Sequence, residues 1–202
     1  MSIKNAQFLI LTFFILLISA CAVKPDISAT SDINRVNDIN QHWKIKGRLA
    51  IITTDERKSA YLAWQQRDTE FDMVLNTLVG SNIATLKYDG TVATLEVDDE
   101  FYEDTSPELL LLRATGWYIP ASLLPIWITG QASADDKTTY YDNGLLKSLE
   151  PRCQSCSKWR IQYEKYGSFD FAGKEAVALP SRLTLQSEST KLIIRIDDWR
   201  AL

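Results

Sequence analysis

Histidine is almost missing from this 202-residue sequence: His42 stands alone, so neither a Ser-His-Asp arrangement nor a histidine-based metal site has support. His42 itself reads as a surface or capping residue at a helix end. Lysine and arginine nowhere cluster, and acidic residues outnumber basic ones 26 to 22, which removes the electrostatic footprint of a nucleic-acid partner. A membrane-spanning helix is lacking too. The N-terminal apolar stretch, Phe8 to Ile18, covers 11 residues where about 20 are needed. The acidic run Asp98-Asp99-Glu100, with Glu103 and Asp104, flanks a strand end and reads as a solvated turn rather than an acid/base pair or a metal site. No catalytic residue, metal or cofactor is expected.

What stands at the N-terminus is informative. Lys4 and the terminal amine form a modest positive region, Phe8 to Ile18 an apolar one, and Leu17-Ile18-Ser19-Ala20-Cys21 looks like a bacterial lipobox. Residues 1–20 would be removed as a signal peptide, leaving Cys21 lipidated as the first mature residue. One short acyl chain anchors a protein only marginally, but three on one cysteine make release negligible. Residue 22 is Ala rather than Asp, which by analogy with enterobacterial lipoproteins directs the protein to the outer membrane, with its body facing the periplasm.

Cysteine is scarce, and with Cys21 set aside the three residues leave one pair, Cys153 and Cys156. Four zinc ligands cannot be assembled from them. The segment Pro151 to Cys156 reads as a turn between strands, so a turn-stapling disulfide is preferred, with free thiols the alternative.

About 180 residues remain after removal of the first 20, enough for one domain of ordinary globular composition. Residues 21–31, polar and aperiodic, form a flexible tether, and the body spans 32–202. Ile33, Val36, Ile39 and Trp43 mark one face of a short helix capped by Asp32. Alternating apolar residues then predict strands from Trp43 to Ile51, around Leu62 and Trp64, from Phe71 to Leu75, from Ala84 to Tyr88 and from Val92 to Val97, with Asp89-Gly90 as a two-residue hairpin connection. Ser106, Pro107 and Glu108 open a leucine-rich helix that Gly116 stops, and a second short helix runs from Pro120 to about Ile128. Strands return at Leu145 to Leu149, Trp159 to Tyr163, Leu183 to Leu185 and Leu192 to Trp199. The layout predicts a mainly β, α+β fold of about ten antiparallel strands rolled into a barrel-like sheet with a helical plug or lid. Whether the barrel is filled or hollow stays open, because both need the same alternation.

The stretch from Gly116 to Gly130, with the pattern G-x-x-I-P-x-x-x-L-x-x-W-I-x-G, resembles the lid-helix signature of the LolB family of outer-membrane lipoprotein receptors. Gly47-Arg48-Leu49-Ala50 resembles that family's first strand, Trp64-Gln65-Gln66 its second, and Pro180, nineteen residues before Trp199, its final hairpin. The resemblance implies a half-open antiparallel barrel whose two-helix lid, carrying Ile119, Pro120, Leu124, Trp127 and Ile128, covers an apolar cavity. It also implies partners. Cargo lipoproteins would arrive on the soluble carrier LolA, lodge their acyl chains in the cavity, and enter the inner leaflet of the outer membrane from a monomeric receptor.

The family's second feature is an exposed apolar loop, usually an Asn-Pro-Leu-Gly-type turn, that helps insert cargo. Here the corresponding segment is Asn76-Thr77-Leu78-Val79-Gly80-Ser81. Val79 matches the family's critical leucine and Leu78 replaces the proline, which loosens the backbone. Either Leu78 or Val79 is the tip, unless both are core residues at a strand end. Two other classes stay in play: a non-catalytic scaffold lipoprotein with a filled barrel, and a lipid-modifying enzyme built on the acidic run.

Overall fold

A computed structural model describes residues 42–202, apart from 154, 155, 157 and 172. The signal peptide, Cys21, the tether and the helix expected from Asp32 lie outside the described residues. Where that helix was to end, Trp43 and His42 instead open a strand: the alternation Trp43, Ile45, Gly47 has period two, and it wins over the weaker helical spacing.

Six strands come first: β1 (His42–Ile52), β2 (Arg57–Arg67), β3 (Glu70–Asn76), β4 (Asn82–Tyr88), β5 (Ala93–Val97) and β6 (Glu100–Asp104). Helix α1 (Pro107–Thr115), a 3-10 turn (Ala121–Leu123) and helix α2 (Leu124–Ile128) follow. The chain closes with β7 (Lys137–Tyr140), β8 (Leu146–Glu150), β9 (Arg160–Phe171), β10 (Lys174–Gln186) and β11 (Lys191–Ala201). All eleven strands form one antiparallel sheet in the order β6-β5-β4-β3-β2-β1-β11-β10-β9-β8-β7. The first and last strands pair in its middle, while β6 and β7 are edges that do not join, so the sheet is not closed.

This order dictates where the helices go. The chain leaves one edge at β6 and must rejoin the other at β7, so residues 105–136 have to traverse a face of the sheet. Local signals make that crossing helical. The Ser106 hydroxyl accepts from the Leu109 N–H at 3.3 Å, Pro107 occupies the first turn, and Gly116, at φ 77°, ends α1 by donating to the Leu112 carbonyl. The second predicted helix is split into the 3-10 turn and the five-residue α2.

Three further details differ from the sequence reading. The β4–β5 connection has four residues, 89–92, because Asp89 turns its carboxylate onto the N–H groups of Thr91 and Val92 (2.9 and 2.8 Å). Those hydrogen bonds hold the Asp89 carboxyl down at about 2. Edge strands β6 and β7 were not foreseen: both are short, and neither contributes a residue to the buried core. Between β1 and β11 the register shifts at Lys46/Gly47, where a Cβ on Gly47 would lie 2.0 Å from the Arg195 carbonyl oxygen.

The core is anchored by three edge-to-face tryptophans, Trp43 with Trp64 (5.0 Å) and Trp43 with Trp199 (5.3 Å), all at most 2% exposed. Trp199 Nε1 donates to the Pro180 carbonyl at 3.0 Å, which gives the nineteen-residue spacing its physical meaning: it ties β11 to β10. Trp64 Nε1 donates to Gln66, itself buried and donating to the Asp68 carbonyl at 2.7 Å.

Candidate functional site

Between the inner face of the sheet and the helical crossing lies a hollow of about 660 Å³. The space beneath the crossing is therefore not filled. Its walls come from alternate residues of β1 to β5 and β11, such as Leu49, Leu62, Met73, Leu86, Leu95 and Ile194, with Leu111 and Trp117 supplied by the crossing. The predicted alternation fixes which side chains face inward; only the crossing keeps the cavity from being an open sheet face.

The five residues expected on the lid divide. Ile119 and Leu124, each 7% exposed, line the cavity. Pro120 is buried and precedes the 3-10 turn, while Trp127 and Ile128 are packed into the core rather than on the cavity wall. The crossing is pinned at both ends. Tyr163 Oη donates to the Trp127 carbonyl at 2.8 Å, and burial pushes this phenol well above its ordinary value. At the other end the Glu108 carboxylate accepts from the Ser122 N–H (2.8 Å) and the Ser106 hydroxyl (2.9 Å). Half-burial would raise the Glu108 carboxyl, but the hydrogen bonds outweigh it and leave it below the usual carboxylate value.

Among the described residues, the charged side chains lining the hollow stand at the end of the sheet that carries the turns 53–56, 77–81 and 98–99. There Glu56, Lys58, Asp98 and Glu100 form its rim. Lys58 Nζ lies 3.1 Å from Glu56 Oε2 and 5.5 Å from the centre of the Trp117 ring. Glu100 accepts from Tyr102 Oη, which raises the phenol's pKa. The sequence pattern predicts a solvated turn at Asp98 to Glu100. They are exposed, with Asp98 and Asp99 at φ 54° and 62°, but Asp98 and Glu100 also border the cavity.

The loop between β3 and β4 projects from the same end of the sheet. Leu78 and Val79 are 84% and 88% exposed, so neither is a core residue. The backbone beneath them is self-supporting: Thr77 N–H donates to the Ser81 carbonyl (2.8 Å), Gly80 N–H to the Thr77 carbonyl (3.1 Å), and Gly80 takes φ 90° in open space. Elsewhere, Cys153 and Cys156 are joined in the β8–β9 connection, Cα atoms 5.2 Å apart, with Cys156 buried. His42 is exposed, its Nε2 3.6 Å from Asp68 Oδ2 and remote from the cavity lining.

Comparison with known proteins places this geometry. A solved DUF1329 family protein from Desulfovibrio piger shares the fold at a TM-score of 0.50 and 6% identity, over 83% of this chain and 89% of its own. The outer-membrane lipoprotein LolB of Pseudoalteromonas translucida is 36% identical over 96% of this chain and 94% of its own length. That of Shewanella woodyi is 34% identical over 92% and 85%. The family model described as outer membrane lipoprotein LolB matches residues 41–199, from the start of β1 through the crossing to Trp199 in β11. The chain belongs to the LolB family, whose members are lipoprotein-trafficking proteins and not enzymes.

Proposed function

We propose that this protein is the receptor that takes lipoproteins from the periplasmic carrier LolA and inserts them into the inner leaflet of the outer membrane. One observation carries the reading: an apolar hollow of about 660 Å³ has its charged lining residues at the same end of the sheet as a loop presenting two bare apolar side chains. Burial of each methylene is worth about 0.8 kcal/mol, so a chain of ~15 methylenes stands to lose ~12 kcal/mol on entering water. Transfer without ATP therefore runs from one apolar cavity to the next by direct contact. The open sheet acts as a half-barrel, and α1, the 3-10 turn and α2 act as its lid. Glu108 and Tyr163 hold that lid down until a chain enters.

Leu78 and Val79 together form the tip that touches the acceptor bilayer, with Gly80 shaping the turn. Cys21, lipidated after loss of residues 1–20, keeps the monomeric body within a short tether of that bilayer, and Cys153 and Cys156 stay oxidised in the periplasm. The test mixes the protein with a LolA-lipoprotein complex and follows the cargo. Movement of cargo onto this chain and then into membrane supports the reading; cargo that never leaves LolA refutes it.

A further inference from the structure

An apolar cavity beside a bilayer faces a selection problem, since phospholipids and free fatty acids carry the same chains as the cargo and vastly outnumber it. Hydrophobic burial cannot separate them, being indifferent to what the chain is attached to. Selection has to act at the rim, where the head of an inserted chain comes to rest. The rim residues that line the cavity are Glu56, Asp98 and Glu100, with Lys58 as the lining's cation. Lys58 is engaged by Glu56 at 3.1 Å and by the Trp117 ring, leaving Asp98 and Glu100 unbalanced. Asp99, beside them on the same turn, adds to the field.

We propose that Glu56, Asp98 and Glu100 form an anion-excluding lip, so that the cavity admits acyl chains with uncharged or cationic heads and rejects those ending in a carboxylate or phosphate. This rests on the acyl-chain reading of the cavity. The acyl chains of a lipidated cysteine end in ester and amide linkages, which are neutral and cross such a lip without penalty. A fatty acid or an anionic phospholipid must bring its charge up to these carboxylates, where like charges repel over the Debye length at low ionic strength. The alternative has the opposite sign: if Lys58 governed the rim, anionic heads would be preferred.

The experiment uses the mature chain, residues 21–202, carrying Cys21→Ser, so that neither its own lipid nor the apolar leader competes for the cavity, loaded with an uncharged environment-sensitive dye. Dodecanol, dodecylamine and dodecanoate displace the dye at neutral pH, and an Ala84→Trp variant, which fills the cavity wall, defines the signal that comes from the cavity. At ~0.01 M ionic strength, where the Debye length is about 30 Å, the alcohol and amine should outcompete the carboxylate on the order of tenfold. That gap should shrink in ~1 M salt. It should also shrink in the combined variant Glu56→Gln, Asp98→Asn, Glu100→Gln, whose substitutions are isosteric, at two exposed positions and one half-buried one, with asparagine suited to the left-handed backbone at position 98. Dodecanoate binding as well as or better than dodecanol overturns the proposal, as does a gap that the combined variant leaves unchanged. If none of the three displaces cavity-bound dye, the acyl-chain reading fails first and the lip with it.

Discussion

The loop tip offers the sharpest separation of folding from function. Leu78 and Val79 are 84% and 88% exposed, and the loop's hydrogen bonds run through Thr77, Gly80 and Ser81, not through either apolar side chain. Replacing either residue should therefore cost the fold under ~0.5 kcal/mol and move Tm by about 2 °C at most. Contact with hydrocarbon is another matter. Fully burying a leucine or valine is worth roughly 1.5–3 kcal/mol, and nearly all of that surface is still free here, so about 2 kcal/mol per residue is available to membrane docking. Leu78→Glu or Val79→Glu forfeits that contribution and adds a charge, weakening loop contact on the order of 30-fold; the two together should approach ~10³-fold. The assay places the lipidated full-length protein in phospholipid vesicles and supplies a LolA-lipoprotein complex. Cargo leaving LolA reports acceptance, and cargo that resists extraction from the vesicles reports insertion. Acceptance should persist while insertion collapses. A double variant that inserts cargo at the parent rate would refute the reasoning, and a single variant that inserts normally would assign the tip to the other residue.

Other outcomes follow from the same reading. Gly47→Ala drives a Cβ against the Arg195 carbonyl oxygen at the central β1–β11 seam and should lower stability by about 3 kcal/mol, read as a Tm drop on the order of 10 °C. Glu108→Gln weakens the clamp on Ser122 by ~1 kcal/mol, seen as faster hydrogen exchange at the Ser122 amide. Because the folded Glu108 carboxyl sits below its ordinary 4.5, its stabilising contribution is present above that value and lost as pH falls through the lower folded value; protection of Ser122 should fade in that acidic window. Reduction of Cys153–Cys156 opens a small loop of sequence separation 3, worth ~2 kcal/mol by chain entropy, so a reductant should lower Tm by a few degrees without abolishing cargo acceptance. Cys21→Ser should accept cargo from LolA but deliver it inefficiently to the outer membrane, checked by fractionation of cargo between membranes.

Much of the sheet was legible because period-two alternation is a local property. Ile45, Leu62, Trp64, Phe71 and Leu86 face inward as their spacing requires, and α1 begins at Pro107 and stops at Gly116 where its capping residues stand. The edges were not legible. Glu100 to Asp104 and Lys137 to Tyr140 have little apolar alternation of their own and become strands only through pairing with β5 and β8. The Gly116-to-Gly130 pattern falls on the crossing without saying which side chains turn toward the hollow: Ile119 and Leu124 do, while Trp127 and Ile128 serve the core.

Composition and local pattern by themselves determined that the body would be β-rich and where its chain-crossing helices would lie. Those features depend on residues within a few positions of one another. Tertiary structure alone decided that a hollow lies between the sheet and the crossing, that the sheet stays open at β6 and β7, and that Glu56, Lys58, Asp98 and Glu100 share one rim. A cavity is a property of the distance between elements far apart in the chain. The alternation that would pack a filled barrel also lines an empty one, until the β6-to-β7 crossing settles over the sheet and leaves space beneath it.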